Sequence, residues 1–247
     1  MTTEFVLFLV AGAFLGGFIN GLAGFGTSLF ALGLFLQVMS PLEAVPIVIV
    51  LSVVGGIPGV LVSYKHVEWR RLARFLVPAF LGMPAGIYLL YIADADALKL
   101  VIAAFLLFYG AYFLLRRGLP RIAEEYPLVD IAVGFGSGIL GAVAGLSGVL
   151  PTVWASLRPW PKLQTRALLQ PFNVTILASS ALVLLAQGAY TKPVAASLLI
   201  AIPTTFVASQ IGIRIFKRLA DAQFQHLLIT LIFISGAGII VKELLLG

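Results

Sequence analysis

Asn20, Gly24, Gly26, Thr27 and Ser28 crowd into one short stretch, Asn20-Gly21-Leu22-Ala23-Gly24-Phe25-Gly26-Thr27-Ser28, of an otherwise apolar segment. About 120 residues later the same mixture returns as Gly145-Leu146-Ser147-Gly148. Glycine interrupts a helix because it adopts backbone angles closed to other residues. Where a helix restarts after such a break, its first N–H groups lack partners and its dipole is positive there. The result is an anion site built without a charged side chain. Thr27 and Ser28 stand at one restart and Ser147 and Gly148 at the other, and their hydroxyls can cap the helix or donate to an oxyanion. Further amides lie in later apolar segments: Gln170 and Asn173, flanking Pro171-Phe172, and Gln210. These residues compose the candidate substrate site, with interhelical hydrogen bonding as the competing reading of the amides.

A second chemistry is also spelled out. Gly145-Leu146-Ser147-Gly148 is a GxSG string, and His226 follows in a later apolar segment, so a Ser147–His226 pair could serve an intramembrane serine protease of the rhomboid type. Four residues with two free choices match often by chance in a glycine-rich chain. The chain has no cysteine and two histidines, which excludes thiolate chemistry and offers no zinc site. No cofactor or metal is expected.

The elements that must position these residues are membrane helices. The chain is 61% hydrophobic and 11% charged, with mean hydropathy +1.09, whereas soluble domains run at roughly 25% charged residues. Several apolar runs reach the roughly 20 residues that cross a bilayer, and the ten-residue alternation of barrel strands is absent. Met1-Thr2-Thr3-Glu4 lacks the positive start of a secretory leader, so none is expected. The lipid bilayer is the surrounding partner. The net charge of +6 is scattered over loops, a pattern of membrane orientation rather than nucleic-acid binding.

The order along the chain is a Gly-broken segment (5–38), spans at 42–64, 75–93 and 98–115, a polar linker (116–127), a second broken segment (128–157), and spans at 167–187, 194–213 and 224–246. Asp94-Ala95-Asp96 caps the span at 98–115. Gly17 aligns with Gly138, Gly24 with Gly145, Gly86 with Gly212 and Gly110 with Gly236. One membrane domain, 1–247, is therefore read as repeat one (4–115), linker, and repeat two (128–246), the internal duplication typical of secondary transporters. If each broken segment folds back on itself, residues 65–74, 116–121, 158–166 and 214–218 share one face and carry 13 of the 16 basic residues. Only Lys99, Lys192 and Lys242 are left opposite. A single crossing scatters them. Basic loops mark the cytoplasm, so the fold class is an all-α integral membrane protein of two inverted-topology repeats. Each is a Gly-broken helical hairpin followed by three transmembrane helices, with both termini outside. Residues 5–20 would make a helix of about 24 Å, short of a core of about 30 Å, so two short helices are expected at each break. No Asp or Glu falls in mid-span, and Arg166 and Arg214 are expected to snorkel from span ends.

With its glycine-rich segment heading each half, the chain resembles the sulfite exporter TauE/SafE family, also called the toluene sulfonate uptake permeases. The resemblance covers nearly the whole chain. It rests on Asn20…Gly24-Phe25-Gly26, Ala144-Gly145…Gly148…Pro151 and Gly212-Ile213-Arg214…Phe224…Gly236, although Gly26-Thr27-Ser28 and Ser147-Gly148-Val149 stand where members commonly carry three glycines. The resemblance implies an inner-membrane transporter, not an enzyme, whose partner is a small anion such as sulfite or a sulfonate. Residue chemistry alone reaches "small anion" and leaves open another small-solute permease or a carboxylate transporter.

Overall fold

The computed structural model describes residues 2–92, 111 and 122–246. The expected span at 98–115 lies outside these residues apart from Ala111, as do Asp94, Asp96, Gly110, Arg116, Arg117 and Arg121. The described residues form nine α-helices: α1 Thr3–Ala23, α2 Thr27–Phe35, α3 Pro41–Ser63, α4 Trp69–Ile92, α5 Pro127–Ala144, α6 Val149–Ser156, α7 Lys162–Ala186, α8 Lys192–Arg218 and α9 Asp221–Leu246. Among them, α1, α3, α4, α5, α7 and α8 are long and apolar enough to cross a membrane. The protein is an all-α integral membrane protein.

Local chemistry sets the helix ends. Thr2 caps α1, its hydroxyl accepting from Phe5 N at 3.2 Å. Ser40 and Glu43 form a capping box on α3, with Pro41 at its first position, which uses the missing N–H of proline where no partner is needed. Gly145, at φ 68°, ends α5. The Gly145 N–H reaches Gly141 O at 2.8 Å, the bond of an αL stop, and the Leu146 N–H reaches Leu140 O at 3.1 Å. Helices α4, α7 and α8 run past their apolar stretches into the basic segments flanking them, so Trp69, Lys162 and Arg218 are helical rather than in loops.

The first helix runs further than residue propensity takes it, while the second break falls at Gly145–Gly148 as expected. α1 is 21 residues long, about 31 Å, not a short helix ending at Asn20. Gly16, Gly17 and Gly21 stay inside it because other helices lie against them. A Cβ at Gly17 would sit 2.6 Å from Thr205 O, and one at Gly21 would strike the Ser209 backbone of α8. The chain breaks only at Gly24 and Gly26, at φ 90° and 100°.

Both broken segments turn back. Thr27 and Ala31 of α2 lie on Gly16 of α1, and Phe35 on Gly12. Leu150 of α6 lies on Gly136 of α5, and the Trp154 indole donates to Asp130 at 2.7 Å. α1 packs parallel to α8, Gly17 beside Thr205 and Gly21 beside Ser209, while α4 packs parallel to α5, Phe75 beside Gly134 and Ala79 beside Gly138. α3 and α7 pack antiparallel, Gly56 beside Val174 and Gly59 beside Gln170. Residues that align between the halves make matching contacts: Gly86 of α4 meets Ile139 of α5, and Gly212 of α8 meets Phe18 of α1.

The basic segments gather at one end. Arg74 pairs with Glu125 at 2.7 Å, and Arg71 lies 4.4 Å from the Trp160 ring. Arg158 stacks 4.2 Å from the Trp154 ring and donates to the carbonyls of Ile122 and Glu124. Lys162 donates to the Leu219 carbonyl after α8. The hydrogen bond from Arg74 holds the Glu125 carboxyl below the usual carboxylate range, and burial pushes the Arg158 guanidinium down. Lys192 lies at the other end of α8, near Tyr190, whose phenol burial pushes up to about 12.

Candidate functional site

The two glycine turns meet. Ser28 Oγ, at the start of α2, donates to Gly145 O at 2.7 Å. Asn173 of α7 spans both turns: its Nδ2 donates to Gly24 O at 3.1 Å and its Oδ1 accepts from Ser147 Oγ at 2.8 Å. Between the turns is a narrow cleft, whose space between atoms is about 270 Å³ with the open solvent at its mouth included. Asn20, Gly26, Thr27, Ser28, Gly145, Gly148 and Asn173 line it, with Phe25, Leu29, Ser52, Leu146, Val149 and Leu177.

No charged side chain belongs to that wall, and its polar groups leave donors over. Asn20 Nδ2 donates to Thr27 Oγ1 at 2.8 Å and to Ser52 O at 3.1 Å. Its Oδ1 accepts from Gln170 Nε2 at 2.8 Å. Asn20 is thereby saturated and its orientation set. The Thr27 hydroxyl, already an acceptor, retains its proton, and Asn173 retains its second N–H. The first turn of α2 closes with Phe30 N on Gly26 O at 3.3 Å, so the N–H groups of Thr27, Ser28 and Leu29 precede any intrahelical bond. All three residues line the cavity. The arrangement offers donors to an acceptor-rich guest, which is what a small oxyanion is.

Four expected residues sit elsewhere than the wall. Ser147 is wholly buried and reaches the cavity through Asn173. Gln170 stands behind Asn20. Gly24 contributes its carbonyl to Asn173 and the φ of its turn. Gln210 is half-buried on α8, away from the cavity, because α8 turns Ser209 and Gly212 to α1 instead. Thr205 donates to Ala13 O at 3.1 Å and so joins two helices.

The Ser147–His226 pair is not made. Ser147 donates to Asn173, and His226 is exposed on α9. Arg166 is also corrected. It does not snorkel: it is fully buried, because its Nη2 donates to Gly21 O at 2.7 Å near the end of α1. Arg214 does remain exposed. The missed neighbours are Ser52, whose carbonyl holds Asn20, and Arg166. The signal for the second was present: 166, 170 and 173 share one helical face.

A family model described as sulfite exporter TauE/SafE matches residues 9–239. No curated protein and no solved structure matches the chain. The match runs from α1 into α9 and takes in both glycine turns, so the chain belongs to the sulfite exporter TauE/SafE family of membrane transporters.

Proposed function

We propose that the protein carries a small oxyanion, sulfite or an organosulfonate, across the inner (plasma) membrane, and that the anion binds between the two glycine turns. The observation that carries this reading is the donor surplus of a cavity with no charged wall, set at the start of α2. Dipoles and neutral donors hold an anion with less desolvation cost than an unpaired buried cation in contact with it, and they release it more readily. Thr27, Ser28, Gly148 and Asn173 bind; Asn20 holds the Thr27 hydroxyl with its proton turned free; Gly24, Gly26 and Gly145 shape the turns; Ser147 and Gln170 orient the two asparagines. Two inverted repeats, 4–115 and 128–246, alternate around this site, with both termini outside the cytoplasm. The antiparallel α3–α7 pair, the back-folded hairpins and the gathering of basic residues at one end support that topology.

Flux into proteoliposomes tests the reading against a panel of sulfite, sulfonates, carboxylates and neutral solutes. Saturable flux of sulfite or a sulfonate is expected. Flux confined to carboxylates or to neutral solutes would replace the substrate class.

A further inference from the structure

Arg166 stands behind the first glycine turn and has no anionic partner among the described residues. It is fully buried, and Nη2 and Nη1 donate to Gly21 O and Leu22 O at 2.7 and 3.5 Å. The Phe216 ring lies 4.2 Å from the guanidinium carbon. Nε has no hydrogen-bond partner among the described residues, and the described ion pairs do not include Arg166. The end of α1 supplies roughly half a negative charge and the ring face a modest attraction, so much of the positive unit is uncompensated. A guanidinium does not shed its proton. A neutral amide could also cap Gly21 O; what the guanidinium adds is charge.

The Arg166 side chain packs against the turn without belonging to the cavity wall, and its guanidinium sits on the carbonyls of Gly21 and Leu22, next to wall residue Asn20 in the chain. A Cβ at Gly24 would lie 3.8 Å from Arg166 Cγ and 3.4 Å from Gln170 Cγ. Arg166 therefore packs one side-chain layer behind the turn whose next residues, Phe25 and Gly26, face the cavity. Little water screens the gap, so the field reaches through. We propose that Arg166 sets the charge selectivity of the cavity through space, favouring anions in proportion to their charge without touching them. This rests on the anion reading of the cavity given above.

Gln170 provides an independent handle. Its Oε1 is buried without a partner, and a Cβ at Gly59 would meet both that atom and Arg166 Nη2. Gln170→Glu thus places a carboxylate beside the guanidinium while the cap on α1 remains, and it also gives up the Nε2 donor on Asn20 Oδ1, a loss that Gln170→Met shares without adding charge.

The experiment measures affinity for methanesulfonate, which is monovalent, and sulfate, which is divalent, in purified wild type, Arg166→Gln, Arg166→Lys, Gln170→Glu and Gln170→Met. Arg166→Gln should weaken methanesulfonate about tenfold and sulfate about a hundredfold, because each unit of anion charge feels the same lost potential. Arg166→Lys should change both by less than about threefold. Gln170→Glu should weaken sulfate more than methanesulfonate while Gln170→Met weakens the two alike, and this pair of variants decides the matter if Arg166→Gln does not fold. Equal losses for the two anions, or none, overturn the role of Arg166 and leave the anion site standing. A wild type that binds no anion overturns both.

Discussion

Thr27 and Ser147 are both buried hydroxyls beside a glycine turn, yet they act differently. Thr27 is in the wall and its hydroxyl only accepts among the described residues, so in the proposed site Thr27→Val removes a direct donor. Ser147 donates to Asn173 Oδ1, so Ser147→Ala loosens an amide that then misplaces its own N–H. Each change should weaken anion affinity by about 1–3 kcal/mol, roughly fivefold to 150-fold in a binding titration. Gly148→Val should do more, since even a Cβ there would lie 2.6 Å from Asn173 Nδ2 and 2.7 Å from Phe25 Cβ. Thr204→Ala is the control: Thr204 bonds back to Ile200 O outside the cavity, and affinity should stay within about twofold. Unchanged affinity in Thr27→Val, Ser147→Ala and Gly148→Val together would make the turns packing devices and place the site elsewhere.

At the scale of the element, glycines divide by what surrounds them, and melting temperature in detergent separates the classes. Gly33 is in α2 with no atom of the described residues within 4 Å of an added Cβ, so Gly33→Ala should stabilise by about 0.5–1 kcal/mol through helix propensity. Gly24→Ala has room but a φ of 90°, and should destabilise by about 1–2 kcal/mol from backbone strain alone. Gly21→Ala has an ordinary helical φ but meets the Ser209 backbone, and should destabilise by forcing α1 and α8 apart. If Gly21→Ala matched Gly33→Ala, the close packing of α1 on α8 would be wrong.

For the whole molecule, the gathered basic segments are the ground for the proposed orientation. Reporter fusions at Thr2 and after Leu246 should both report the side away from the cytoplasm; a cytoplasmic reporter at either end would refute the inverted arrangement. The same basic end contains an acid-sensitive tie. Its partner lowers the folded pKa of Glu125, so the Arg74–Glu125 pair contributes above the ordinary carboxylate range and is lost as pH falls through the lowered value. The melting-temperature difference between wild type and Glu125→Gln should therefore shrink toward acid. It should also be small and salt-sensitive, because Glu125 is exposed. A difference that grows toward acid would contradict the pairing.

Composition alone determined the membrane class, since no soluble fold hides so much apolar surface. Local chemistry determined the order of the apolar helices and both turns, because Gly24 and Gly145 act through their own backbone angles. Charge counting grouped segments 65–74, 158–166 and 214–218, which the structure brings to one end, with 116–121, which lies outside the described residues. The tertiary structure decided what depends on distant neighbours. Gly21 reads as a breaker by propensity and becomes helical because α8 covers it. Arg166 reads as a surface anchor and is buried because carbonyls 145 residues away arrive to receive it. Ser147 reads as a nucleophile until Asn173 takes its hydrogen bond. Gln210 reads as a site amide until the packing face of α8 turns it aside. Each of these is a contact between helices, and no local pattern records which helix will stand opposite.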